Sequence, residues 1–437
     1  MSPEPLPGSP TSGLPDAAAK RSPLPSGSLT IGIGLLLGGL SIYVFFRLGQ
    51  EALGQDGFKP IVSLWFVMFA LVPGFFLPLE QEVSRAVAHR RALEDGVRPV
   101  VRKVAPVAAG ITIALITVVA LLRNRFTNDL FEGSAVVTLA LVIALVGYAP
   151  FHIARGVCSG LGRFRTYSTM IALDGLLRVV ACGAFLVVGI DNVGPYAVMV
   201  AVVPLTIALG ALGAGQLRST DGTPATWGEL APNLGWLLLG TLCAGALINA
   251  GPLTVDLLGD GSEPEVVTRF ANAVLLARVP LFLFQAVQAA MLPRLTQLAA
   301  VGDSREFRDV LRRLFVLVGG VGVVGVVGAF IAGPFVLELV YEGGIDRRTI
   351  TLLAFASAIY MLAAACAQSV LSMSGHMFVA LGWVASFITF VVTAAWSSDD
   401  LFLRVELALT ASAVVALGVF AAGLRVYFAR LASRSRS

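Results

Sequence analysis

"ARVPLFLFQAVQAAMLPRL", residues 277–295, is apolar enough to cross a bilayer, yet it carries Arg278, Gln285 and Gln288 and closes on Pro293-Arg294. A charged side chain at the bilayer centre costs at least ~2.5–3.5 kcal/mol, so it is retained where it meets a partner, water or a ligand. Arg278 finds no charged partner one turn away, because position 274 is Val and position 282 is Phe. Spacing of i, i+7 and i+10 puts Arg278, Gln285 and Gln288 on one helix face. The stretch therefore reads as a membrane helix lining a polar cavity.

The rest of the chain agrees with that reading. It has 437 residues, 57% hydrophobic and 13% charged, with a mean hydropathy of +0.84. Apolar runs recur along its length, which marks an all-α polytopic membrane protein. Twelve spans are expected, near 28–47, 60–79, 104–122, 134–154, 166–189, 194–214, 233–257, 267–292, 314–338, 349–372, 377–396 and 402–424. In the ninth, the glycines of "LVGGVGVVGVVGAF" would let another helix approach closely. Residues 1–27 are rich in Pro, Ser and Gly and read as a disordered tail. The first apolar run is too long for a signal peptide and reads as a span.

The net charge of +4 raises nucleic-acid binding, but most basic residues sit in short loops on one side of the predicted spans. That is the positive-inside pattern, and it places both termini in the cytoplasm of a bacterial inner membrane. In "VGDSREFRDVLRRL", Asp303 and Glu306 have capping-box spacing, so a short surface helix should lead into span nine. Cys158, Cys182, Cys243 and Cys366 form no CxxC pair, and His89, His152 and His376 have no metal-ligand spacing. There is no P-loop, HExxH, catalytic triad or nucleotide fingerprint. The chain reads as neither an enzyme nor a metalloprotein, and needs no cofactor. Any work would come from an ion gradient, the membrane potential or substrate mass action.

The two halves are weakly alike. "ARGVCSGLGR", 154–163, aligns with "AQSVLSMSGH", 367–376, at an offset of 213, and Leu77-Pro78 with Leu292-Pro293 at 215. Six spans per repeat give both halves one orientation, hence two six-helix lobes about a pseudo-twofold axis along the membrane normal, with a cavity between them. The expected division is a tail 1–27, a first lobe 28–215, a linker 216–232, a second lobe 233–424 and a basic tail 425–437.

Further polar residues complete the candidate set. Arg178 lies at a depth similar to Arg278, with Asp174 one turn before it; that pair could bind substrate or neutralise itself. Asn249, Pro252 and Asp256 mark a bend in span seven. Glu80, Glu82 and Arg85 crowd one end of span two, and Arg47 and Glu51 the opposite end of span one. These, with Asp256, are gate candidates, while Arg178, Arg278, Asp174, Gln285, Gln288 and Asn249 are the cavity candidates.

The stretches "LGQEALGQDGFKPIVSLWFVMFALVPGFFLPLEQEVSRAVA", "ARGVCSGLGRFRTYS" and "LPRLTQLAAVGDSREFRDVLRR" resemble the polysaccharide-exporter branch of the MOP superfamily, which also contains lipid II flippases and MATE multidrug exporters. The resemblance covers nearly all of the chain beyond residue 28. It implies alternating access and a polyprenyl-(pyro)phosphate-linked glycan flipped from the inner to the outer leaflet, with polymerase or glycosyltransferase partners. Guanidinium suits such phosphates because its fork matches their oxygens. Twelve spans fit a lipid II flippase poorly, since those usually have fourteen. A MATE-like exporter of small solutes and a non-transporting scaffold are the alternatives. "RALEDGVRPVVRK" lacks the loop motif expected of a major-facilitator exporter.

Overall fold

The computed structural model describes residues 28–218, 220–230, 234–259, 264–281, 284, 295, 298, 304–373 and 375–434. Among these the fold is all-helical, with ten helical segments long and apolar enough to cross a membrane. The chain is a multi-pass membrane protein. Its elements are α1 (Ser28–Ala92), α2 (Arg98–Leu121), a π-helical turn (Arg125–Leu130), α3 (Ala135–Gly160), α4 (Phe164–Val188), α5 (Val193–Gly213), the short α6 (Trp227–Leu230), α7 (Leu234–Leu258), α8 (Pro264–Ala277), α9 (Ser304–Tyr341), α10 (Arg347–Ser372), α11 (His376–Trp396) and α12 (Leu401–Arg434).

Helix α1 holds the first two expected spans. Its 65 residues would reach about 97 Å if straight, three times the hydrocarbon thickness. Gly54, at φ 72° and ψ 168°, breaks it in a region that only glycine enters easily. The chain reverses there, since Phe45 stacks on Trp65 at 5.5 Å and Phe46 meets Phe58 at 5.3 Å. The expected loop between 47 and 60 is thus helical apart from one residue. Likewise, the surface helix expected before span nine is continuous with it, as α9. Asp303 and the 292–293 end of the repeat lie outside the described residues.

Packing recurs at the offset seen in the sequence. Helix α2 lies on α3 and α9 on α10; α3 on α5 and α10 on α12; α1 on α4 and α7 on α11. Gly156 and Gly160 of α3 bring its backbone against Glu80, Val83, Ser84 and Val87 of α1. In α9, Gly322 and Gly325 receive Ala358 and Pro280, whereas Gly319, Gly320 and Gly328 face open space. Exposed apolar side chains such as Val180, Val187, Ile331 and Phe335 clothe the outer surface, as lipid requires.

Helices α1 and α7 are joined by a specific repair. Pro73 and Pro78 lie inside α1, and each removes the N–H that would bond the carbonyl four residues earlier. Those carbonyls are Phe69 and Gly74. Asn249 Nδ2 donates to the Phe69 carbonyl at 3.0 Å, and the Thr241 hydroxyl shares its one hydrogen between the Gly74 carbonyl at 2.8 Å and the Leu237 carbonyl of its own helix at 2.7 Å. The polar residues of α7 therefore satisfy backbone groups that prolines in α1 orphan.

The linker is strapped to one end of α1. Buried Arg90 bonds both carboxylate oxygens of Glu229, at 2.6 and 2.9 Å, and the carbonyls of Thr223 and Gly96, at 2.7 and 3.0 Å. Lys103 donates to the Ala225 carbonyl and lies over the Trp227 ring. This end also carries Arg85, Arg91, Arg98 and Arg102, and is called the basic face below.

Two outcomes follow. Asn249→Leu should lower stability by about 1–3 kcal/mol, the cost of an unpaired buried carbonyl. Pro73→Ala, which restores the missing N–H, should recover part of that loss in detergent melts; a purely additive double variant would refute the repair. Second, the Arg90 hydrogen bonds hold the Glu229 carboxyl below its usual range. Its contribution is complete above the ordinary carboxylate pKa of about 4.3 and fades as pH falls through the lowered value. The melting advantage of wild type over Glu229→Gln should therefore shrink on acidification below about pH 4.

Candidate functional site

A cavity of about 530 Å³ lies between the two groups of helices. Arg178, Arg278, Asp174 and Asn249 all line it, together with Trp65, Phe69, Tyr360 and Trp383. Gln285 and Gln288, the other two cavity candidates, lie outside the described residues.

The two arginines differ in their surroundings. Arg178 is buried, and its guanidinium makes two 2.8 Å bonds to Asp174 and one of 2.9 Å to the Tyr148 hydroxyl. It also lies over Trp65, at 5.4 Å. The i, i+4 pair thus neutralises itself in this conformation, with only the Asp174 carboxylate partly open to the cavity. Asn249 commits its amide N–H groups to the Phe69 and Gly245 carbonyls, so its part at the wall begins as backbone repair.

Arg278 has no such compensation. Helix α8 ends at Ala277 because Pro280 cannot donate into the next turn. The backbone tightens there, with Arg278 N bonding Leu275 O at 3.0 Å, and the Tyr43 hydroxyl also donates to that carbonyl. The break aims Arg278 into the cavity, 5.6 Å above the Phe66 ring. Among the described residues no carboxylate pairs with it. It is a positive charge facing a cavity that opens toward the basic face.

The gate candidates fall in three places. Arg47 and Glu51 form a 3.3 Å pair that is largely exposed. Glu82 and Arg85 pair at 2.7 Å near the basic face, where Arg85 also reaches the Glu229 carbonyl. Glu80 is buried in a network that the sequence did not disclose. His152 Nδ1 lies 2.7 Å from one of its oxygens, and the Tyr167 hydroxyl donates to the other at 2.9 Å, beside Arg155 at 3.2 Å. Asp256 is also buried. It accepts from Ser63 at 2.8 Å and pairs with Lys59 at 2.9 Å, joining α7 to α1. Lys59 belonged to a predicted outer loop; it is instead buried, with further partners in Glu132 and the Leu130 carbonyl.

Around Lys59 the face opposite the basic one is closed by bonds between the first and second halves. Gln50 and Asn272 exchange amide hydrogen bonds of 2.8 and 2.9 Å. Gln55 donates to the Tyr341 carbonyl and accepts from Arg269. The cavity instead extends toward the basic face, where Gln81, Trp236 and His376 line it.

The fold has known counterparts. An inward-facing multidrug resistance MATE family transporter of the MOP superfamily superposes with a TM-score of 0.69 at 13% identity, covering 93% of this chain and 98% of that one. The Vibrio cholerae MATE transporter VcmN in its bent form gives 0.63 at 14% identity, covering 92% and 97%. The chain has the MATE fold. No family profile matches its sequence. Two uncharacterised proteins of Mycobacterium tuberculosis H37Rv are similar throughout, one 26% identical over 94% of this chain and 93% of its own length, the other 24% identical over 95% and 94%.

The Lys59–Asp256 pair admits a direct test. Lys59→Met leaves Asp256 buried without its cation and should destabilise the protein by about 3–5 kcal/mol. Adding Asp256→Leu should recover most of the loss, since half-exposed Glu132 can hydrate. A double variant no more stable than Lys59→Met would show that the pair is not the unit of stability.

Proposed function

We propose that the protein is an alternating-access transporter that flips a polyprenyl-(pyro)phosphate-linked glycan across the bacterial inner membrane, from the cytoplasmic leaflet to the outer one. The observation that carries this reading is Arg278: a guanidinium facing a large cavity with no carboxylate partner among the described residues. An anionic headgroup would supply the missing charge through paired N–H···O bonds. Arg178 would join it once Asp174 releases, and Gln285 and Gln288 would extend the same face.

In this scheme the basic face is cytoplasmic, as are both termini. Opening of the other face would break the Lys59–Asp256 and Gln50–Asn272 contacts, while Arg47, Glu51, Glu80, Glu82 and Arg85 would adjust at the two ends. No cofactor is invoked; an ion gradient or the membrane potential would supply the work. Glycan polymerase or glycosyltransferase components are the partners such a substrate calls for.

The second reading is a MATE-like exporter of small solutes. It is supported by the shared fold and by Asp174, a carboxylate deep in the first half and partly open to the cavity. Against it, Arg178 already holds that carboxylate, so a cationic drug would have to displace a bidentate guanidinium.

Reconstituted vesicles separate the two. Wild type should accelerate leaflet exchange of a fluorescent polyprenyl-pyrophosphate disaccharide. Arg278→Gln should slow it about 10–100-fold, the worth of charge-assisted hydrogen bonds of ~1.5–3 kcal/mol, with melting no lower than wild type. Unimpaired exchange by Arg278→Gln would remove its assigned role. Export of cationic dyes without lipid exchange would favour the second reading, and neither activity a scaffold.

A further inference from the structure

We propose that the mouth of the cavity at the basic face is a carbohydrate-binding station, distinct from Arg278 and built from Gln81, Arg155, Gln368 and His376 with Trp236. The inference rests on the glycan-flippase reading and assigns the uncharged part of the substrate to a place.

All five residues line the cavity. Four of them sit where helices end at the basic face: Gln81 in the last turns of α1, Arg155 near the end of α3, Gln368 near the end of α10 and His376 at the start of α11. His376 is within electrostatic reach of Glu82, next to Gln81. The station is therefore assembled across both halves. Gln368 lies eight residues beyond Tyr360 on α10, a rise of about 12 Å, and Tyr360 lines a pocket with Arg278. A headgroup phosphate at Arg278 would leave its attached sugars within this mouth.

The hydrogen-bonding capacity here is unused. Neither the Gln81 nor the Gln368 side chain has a hydrogen-bond partner among the described residues. His376 Nδ1 and Arg155 Nε are buried atoms with no partner. Gln81 is exposed and Gln368 half-buried on the cavity wall, so their amides are free to meet a ligand or water; the two buried nitrogens are sealed from the cavity in this conformation.

Charge decides which ligand. Arg155 is compensated by Glu80 at 3.2 Å, and Glu82 by Arg85 at 2.7 Å, so among the described residues lining the mouth no arginine or lysine is left without a carboxylate for a second phosphate. What remains are neutral amides, each with donors and an acceptor, with the indole of Trp236 on the same cavity wall. Trp236 is exposed near the start of α7, whereas Trp383 is buried against Tyr360 and Phe420, deeper along the cavity. Sugar hydroxyls donate and accept in the same way, and the apolar C–H face of a pyranose covers an aromatic ring. A lipid tail would use the ring but leave the amides unpaired.

The test uses the full chain in vesicles with Gln81→Leu/Gln368→Leu and two labelled lipids, polyprenyl pyrophosphate and the same lipid bearing an oligosaccharide. The variant should exchange the glycolipid at least tenfold more slowly than wild type and the bare lipid at the wild-type rate. Equal losses for both lipids, or none, overturn the station. In parallel, the oligosaccharide released from that lipid should shift wild-type tryptophan fluorescence, and the shift should vanish in Trp236→Phe and weaken in the double variant. Wild type that shows the shift but moves neither lipid would sink the flippase reading and keep the station. Absence of any shift in wild type would overturn the station whatever the lipids do.

Discussion

The architecture depends on how α7 answers the prolines of α1. In hydrocarbon an unpaired carbonyl has no water to turn to, so Pro73 and Pro78 would be costly on a helix facing lipid. Here the freed carbonyls of Phe69 and Gly74 point at a helix of the other half, which supplies Asn249 and Thr241. The prolines thereby become the reason that α1 and α7 lie together, and the cavity forms beside that seam. The same chemistry ends α8 at Pro280 and turns Arg278 inward.

Most charges inside the fold are balanced locally among the described residues; Arg278 and Glu406, whose buried carboxylate makes no hydrogen bond and lies 4.0 Å from Arg348, depart from that rule. Asp174 neutralises Arg178 within one helix. Glu80 joins α1 to α3 and α4 through His152, Arg155 and Tyr167. Asp256 and Lys59 join the halves. A buried charge left alone is expensive, whereas a hydrogen-bonded pair roughly breaks even. Arg278 has no carboxylate among the described residues to offset it, so its retention at the cavity calls for an explanation outside the fold's own stability.

Much of the fold was legible because lipid imposes a strict code. Length, hydropathy and the offset of 213 gave spans, repeat and cavity without any contact being known. Arg278 was legible for the same reason: Val274 and Phe282 left it alone in its own helix. The Asp174–Arg178 choice stayed open, since i, i+4 spacing permits both pairing and ligand binding, and only geometry could show two short bonds. Lys59 was misplaced because a lone lysine beside Gly57 and Pro60 looks like a loop, when one positive-φ glycine sufficed to turn the chain. The partners of Glu80 were hidden because they sit on two other helices. The role of Asn249 could have been sought by asking, for each proline, which polar side chain bonds the carbonyl four residues back.

The two ends of the molecule are held by different chemistry, and that bears on how it could move. At the basic face the strongest contacts, those of Arg90, tie the linker to the first half and leave the second half free of them. At the opposite face the bonds run between halves: Gln50 with Asn272, Lys59 with Asp256, Gln55 with Tyr341 and Arg269. Separation there is asymmetric. Lys59 would keep Glu132 and the Leu130 carbonyl, both on its own side, while Asp256 would lose Lys59 and Ser63 together. Were that face to open, the Asp256 carboxylate would lose both of its partners and need water, a proton or a cation in their place.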